Sequence, residues 1–181
     1  MKNFILTGAP GAGKTAILRQ VELDGFAVVE EAATDLIALR QAEGIAEPWT
    51  EPGFVEDVAD LQRRRLDASS HAPGDVHFHD RSLFCTLALA RYLDVPFPDG
   101  LLHEVQRLRE QAVYERQIFF IQNLGFVEPT AARRITFEET LRFERIHEDV
   151  YRAWGFELIS IEPAPLAERV GAIRAAIPVS R

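Results

Sequence analysis

Eight residues near the start of the chain carry its most specific chemistry: Gly8-Ala9-Pro10-Gly11-Ala12-Gly13-Lys14-Thr15. Glycine at the first and sixth places, followed by lysine and threonine, fills the pattern of a phosphate-binding loop. Glycine lets the backbone turn sharply and come close to a ligand. The exposed N–H groups of such a turn, with the start of the helix that follows, make a site for anions. Gly8, Gly11, Ala12 and Gly13 are therefore expected to wrap a polyphosphate. Lys14 is expected to reach its β- and γ-phosphates, and Thr15 to hold Mg²⁺ through its hydroxyl. The cofactors this implies are ATP and Mg²⁺.

Further polar groups follow short apolar runs. Glu30-Glu31 comes after Phe26–Val29, and Asp80-Arg81-Ser82 comes after Val76–His79. Glu31, in preference to Glu30, is a candidate base for the proton of an attacking hydroxyl; helix-start acids favoured by the dipole are the plainer reading. Asp80 can accept a hydrogen bond from Mg²⁺-bound water or from Thr15, and is the second candidate base. Capping the next helix is its plainer role. Arg81 suits a bidentate grip on a phosphate or hydroxyl-bearing substrate. Arg133 and Arg134, with Arg142 and Arg145 sharing a helix face, read as a segment that closes over ATP and neutralises charge on the transferred phosphoryl group. Surface pairing with Glu138, Glu139, Glu144 and Glu148 is the alternative.

The remaining features read as structure. His77 and His79 share a strand face without a third ligand at suitable spacing, so they are expected in the core. Arg63-Arg64-Arg65 reads as a solvated helix turn, or as a face toward an acidic substrate. Trp49, Phe54 and Phe97 either stack on a base or fill the core. Cys85 lies in an apolar helical stretch and is expected to pack.

The elements that must position these groups alternate along the chain. Strands are expected at Phe4–Leu6, Phe26–Val29, Val76–His79, Ile118–Gln122 and Phe156–Ile161. Helices are expected over 14–24, 31–43, from Pro52 onward, 83–92, from Leu101, from the capping box Thr136-Phe137-Glu138-Glu139 to Trp154, and over 165–177. Alternation of this kind gives an α/β fold, a parallel sheet covered by helices on both faces. In such a sheet ligands lie beyond the carboxyl ends of the strands. Gly8, Glu30-Glu31, Asp80-Arg81 and Asn123 all fall there.

Composition narrows the partners. The chain has 181 residues, 47 % hydrophobic and 27 % charged, which fits one soluble domain over 1–181. A net charge of −8 argues against a nucleic-acid coat or an anionic membrane surface as partner. No apolar stretch is long enough to span a bilayer, and the start lacks a signal-peptide layout. A single cysteine fits a reducing compartment, and the expected location is cytoplasmic. The sequence leaves the assembly open, a homodimer among the options.

GAPGAGKT, then VVEEA, then HDRS, then an arginine-bearing segment, resembles the nucleoside- and nucleotide-kinase branch of P-loop proteins. It is similar in particular to small proteins labelled predicted ATPases or AAA-family ATPases, relatives of the ribosylnicotinamide kinases. The Asp80-Arg81-Ser82 element is similar to the Asp-Arg or Glu-Arg element of thymidylate and deoxynucleoside kinases. The resemblance implies a three-layer sandwich whose five-stranded parallel sheet has strand one central and strand two at an edge. It implies that Lys14 and Thr15 bind Mg-ATP, that Glu31 contacts the acceptor hydroxyl, and that Asp80-Arg81 serves metal and substrate. It also places Arg133 or Arg134 in a lid over about 123–145. Two features depart from relatives. Ala32-Ala33-Thr34 stands where many carry an arginine, and no hydrophobic run ends in Asp-Glu as in an AAA+ motor.

The expected function is Mg-ATP-dependent phosphate transfer to a nucleoside, nucleotide or similar small molecule. The alternatives are a nucleotide-dependent binding switch, with a partner or lipid recognised around 45–70, and an ATPase stimulated by a partner. An Asn-Lys-x-Asp guanine reader is absent from the sequence.

Overall fold

The protein is described by a computed structural model over residues 1–126 and 135–177. Five strands, β1 (Lys2–Thr7), β2 (Ala27–Val29), β3 (Val76–Asp80), β4 (Gln117–Ile121) and β5 (Glu157–Ile161), build one sheet. Its order is β2-β3-β1-β4-β5 and every pairing is parallel. β1 is central and β2 lies at an edge, as the resemblance implied. The helices described are α1 (Lys14–Leu23), α2 (Ala32–Ala42), α3 (Phe54–Ser69), α4 (Leu83–Leu93), α5 (Leu101–Glu110), α6 (Phe137–Ala153) and α7 (Leu166–Ala176).

Phe4, Ile5 and Leu6 are each at most 1 % exposed, which is why β1 reads as an unbroken apolar run. Alternation along the strand then divides the core. Phe4 and Leu6 join Phe78 and Phe119 against Ile17, Leu18 and Val21 of α1 and Val170 and Ile173 of α7. Ile5 and Ile118 face the other way, against Leu83, Phe84 and Leu87 of α4, Val105 and Leu108 of α5 and Tyr151 of α6. A third cluster packs α2 and the turn Pro48–Thr50 onto Phe54, Val55 and Val58 of α3.

Element ends differ from the sequence reading by a residue or two. α3 starts at Phe54, not at Pro52, because Gly53 holds φ at 84° and the helix begins only after it. The capping box of α6 forms as its residues suggest: Thr136 accepts from the Glu139 N–H, and Glu139 accepts from the Thr136 N–H.

Register is what matters for the site. Leu6 stands opposite Asp80 and Val29 opposite His79. The segments after β1, β2 and β3 therefore leave the sheet side by side. Arg81 N–H donates to Leu6 O at 2.9 Å, which locks the end of β3 to β1.

Candidate functional site

The loop between β1 and α1 closes around its own backbone. Gly8 has φ 131°, and a Cβ there would sit 2.2 Å from the Ile121 carbonyl oxygen, so no other residue fits. Gly11 and Gly13 also have positive φ, 84° and 83°. Lys14 is buried, and its Nζ donates to Gly8 O at 3.2 Å and Ala9 O at 2.9 Å. Burial and then the charge of Arg81 pull its pKa down to about 8, against the opposing pull of Asp80 and Glu31.

A cavity of about 400 Å³ opens beside this loop. Gly11, Gly13, Lys14 and Thr15 line one end, and Glu31 and Arg81 stand in its wall. Beyond them the lining is mostly apolar, with Ile37, Trp49, Phe54, Val58, Leu89 and Phe143. Gly8, Ala12 and Asp80 are not among the lining residues. Arg133 and Arg134 lie outside the described residues, as does the middle of the expected closing segment.

Glu31 separates clearly from Glu30. Glu30 is exposed and pairs with Arg19 on the outside. Glu31 accepts from Arg81 Nε at 2.6 Å and from the Thr34 hydroxyl at 3.0 Å. Burial works against its ionisation, but the charges of Arg81 and Lys14 and these two hydrogen bonds prevail and hold its pKa below the ordinary value. Arg65 props the same corner, donating to the backbone oxygens of Glu30 and Glu31. The arginine triplet is therefore more than a solvated turn: Arg65 buttresses the end of β2, while Arg63 pairs with Asp60 and Glu104.

Arg81 is 6 % exposed and holds φ 70°, a strained value for a residue with a side chain. Two of its three nitrogens are engaged. Nε meets Glu31, and Nη1 meets His147 Nε2 at 2.9 Å. His147 Nδ1 lies 2.9 Å from Phe143 O, so Nδ1 carries the proton and Nε2 accepts. Burial and the adjacent Arg81 keep this imidazole neutral. Phe143 completes the seat, its ring 5.6 Å from the guanidinium carbon. Arg142, the next residue back, lies over the ring of Tyr92 at the cavity wall.

Asp80 is 2 % exposed, and its Oδ1 has no partner among the described residues. Burial, then the charge of Glu31, push its pKa up to about 6 against Lys14 and Arg81. Such an oxygen fits a hydrogen-bond donor such as metal-bound water. The described residues hold no group of three His, Cys, Asp or Glu side chains suited to a metal. His77 Nε2 lies 3.1 Å from Gly74 O, and His79 Nε2 lies 3.2 Å from Asn3 Oδ1 with its ring edge-on to Tyr114. Cys85 packs as expected, against Tyr151 OH at 3.0 Å and Thr7 Oγ1 at 3.4 Å.

Sequence reasoning missed Gln62 and Thr86. Both line the cavity. Gln62 is 5 % exposed, and Thr86 Oγ1 is buried without a partner among the described residues. The signal was present for Gln62: an amide stands in the stripe Phe54, Val58, Gln62, Leu66, where four-residue spacing otherwise gives apolar side chains. Trp49 and Phe54 turn out to face the cavity, while Phe97 packs against the core.

Residues 3–169 match the model of a protein family described as AAA domain. The chain belongs to that family. No curated protein sequence matches this AAA-domain chain significantly. Among solved structures it is similar to deoxyadenosine kinase from M. mycoides with the products dCMP and a flexible dCDP bound: TM-score 0.56, 12 % identity, 96 % of each chain covered. The same enzyme with dATP bound gives a TM-score of 0.62 at 10 % identity over 97 % of this chain and 98 % of that one. The NadR protein in complex with NAD and AMP-PNP gives 0.65 at 16 % identity. The alignment covers 99 % of this chain but 51 % of NadR, so the chain spans about half of that protein's length. These likenesses establish the fold of P-loop nucleotide kinases. Among the described residues no helix is long and apolar enough to cross a membrane.

Proposed function

We propose that this chain is a Mg-ATP-dependent phosphotransferase acting on a nucleoside, nucleotide or similar small molecule. One observation carries the reading: the phosphate loop and the Glu31–Arg81 pair open into a single cavity whose far end is apolar and aromatic. That juxtaposition puts a donor phosphate and an acceptor hydroxyl within one enclosed space. The kinase-like fold supports it.

In this reading the loop's N–H groups and Lys14 take the triphosphate. Lys14 gives up the carbonyls of Gly8 and Ala9 for phosphate oxygens. Thr15 and Asp80 are the residues that would hold Mg²⁺, Thr15 directly and Asp80 through water. The ion would neutralise charge on the phosphates. Glu31 is ionised at neutral pH and orients the acceptor hydroxyl. The γ-phosphorus–oxygen bond to ADP breaks as the bond to the acceptor oxygen forms, and the acceptor proton passes to Glu31. Because the transition state is loose, that proton leaves late, and a weakly basic carboxylate is sufficient. Arg81, held by Glu31 and His147, has its remaining nitrogen for the acceptor. Arg133 and Arg134 supply further positive charge from a lid over about 123–145.

Gln62 and Thr86 offer a carboxamide and a hydroxyl in an otherwise apolar lining. They suit a flat, uncharged portion of the acceptor with a hydrogen-bonding edge, since burying an unpaired charge there would be costly. The test is transfer from γ-labelled ATP across a panel of nucleosides and nucleotides. Label is expected in one acceptor class. Nucleotide bound or slowly hydrolysed with no acceptor labelled would favour a binding switch or a partner-stimulated ATPase instead.

A further inference from the structure

Arg169 has no place in the chemistry above. It stands in the first turn of α7, is 5 % exposed, and reaches under the phosphate loop. Its Nη2 donates to Ala12 O at 2.7 Å and lies 3.4 Å from Gln122 O. Its Nε is buried without a partner. Among the described residues no carboxylate pairs with it, and burial pulls its pKa down. A guanidinium nevertheless stays charged. A buried cation without a counter-ion is costly to keep.

The geometry gives it a use. Ala12 C=O and Gly13 N–H belong to one planar trans peptide, so they point in opposite directions. With the carbonyl drawn to Arg169, the N–H is turned away from the guanidinium. Gly13 lines the cavity and Ala12 does not. A charge-assisted bond to the carbonyl also polarises the peptide and strengthens its N–H as a donor. Gly13 is held to this arrangement from both sides: φ is 83°, and a Cβ there would lie 2.9 Å from Arg169 Nη1.

We propose that Arg169 is a positioning residue for polyphosphate binding, fixing the Ala12–Gly13 peptide so that its N–H faces the bound phosphates and placing behind the loop a positive charge whose counter-ion is the ligand. This rests on the reading that the loop holds a triphosphate.

The test titrates Mg-ATP and inorganic tripolyphosphate into the full chain by calorimetry, for wild type, Arg169→Met and Arg169→Lys. Arg169→Met is expected to weaken both ligands about tenfold, the size of one charge-assisted hydrogen bond felt indirectly. Arg169→Lys, which keeps the charge and one donor, is expected to recover most of that loss. The Gly13 amide proton resonance should move less on tripolyphosphate binding in Arg169→Met than in wild type. Should Arg169→Met fail to fold, Arg169→Gln takes its place with the same expectation. Wild-type affinity in the neutral variant, or an equal loss in Arg169→Lys, overturns the role of Arg169 alone. Wild type binding neither ligand overturns the triphosphate reading, and this inference with it.

Discussion

At the loop end of the cavity, the lining residues all lie within Pro10–Thr15, and backbone geometry shapes the site. At the apolar end, Glu31, Gln62, Arg81, Thr86 and Phe143 line the cavity and His147 meets Arg81; they come from the start of α2, from α3, from the β3–α4 stretch and from α6. The first end is made of peptide groups and cations resting on carbonyls: Lys14 on Gly8 and Ala9, Arg169 on Ala12. The second is an apolar chamber with a single chain of charge and hydrogen bonds, Glu31 to Arg81 to His147 to the α6 backbone. A short loop can be rebuilt anywhere a strand meets a helix. The chamber depends on how α2, α3, α4 and α6 pack, so its specificity is a property of the whole fold.

The comparison breaks most sharply at Lys14. Lys14→Ala should cut phosphate transfer by about 10²–10³-fold, the loss typical of one preorganised charge at the transition state. Thermal melts of the ligand-free protein should shift by no more than about 2–4 °C, because burial already penalises this ammonium. A collapse of the fold would mean that Lys14 holds the loop together rather than serving its ligand.

His147 tests the other end. His147→Ala frees Arg81 Nη1 and is expected to raise KM for the acceptor about tenfold while KM for ATP stays near wild type. His147→Gln, which can still accept from Arg81, should restore most of it. Steady-state kinetics on both substrates decide; an equal rise in the two KM values would show that the ends are not separable.

Asp80 gives the smallest effect and a pH signature. Burial pushes its pKa in the folded chain up to about 6, from 3.8 for a free side chain. Between those values the folded chain holds a proton that the unfolded chain has lost, so stability falls as pH rises from about 4 to 6 and stays reduced above. Asp80→Asn removes that penalty. Melts from pH 4 to 8 should show a flatter dependence and, at pH 7.5, a Tm about 2–4 °C higher. An unchanged slope would place the titration elsewhere.

The contrast between the two ends also explains what could be read from sequence. The loop is legible because its main constraint is local: Gly8, Gly11 and Gly13 all hold positive φ within one short turn. The sheet was legible because Phe4, Ile5 and Leu6 are buried on both faces. Glu31, Asp80 and Arg81 could be placed at the carboxyl edge, but their partners could not, because pairing depends on strand register and on α6. His147 is 66 residues from the arginine it meets, and Arg169 is 157 from the carbonyl it holds. No periodicity connects residues that far apart. Arg65 was misread for the same reason, since nothing in its neighbours announces the backbone of Glu30 and Glu31.

A single-turnover experiment with γ-labelled ATP and the acceptor panel, wild type against Glu31→Gln, tests phosphate transfer by this chain most directly. Label is expected in the acceptor with wild type, and a rate about 10²-fold or more lower with Glu31→Gln at undiminished Mg-ATP binding. Label released only as inorganic phosphate, at the same rate in both proteins, would contradict that transfer.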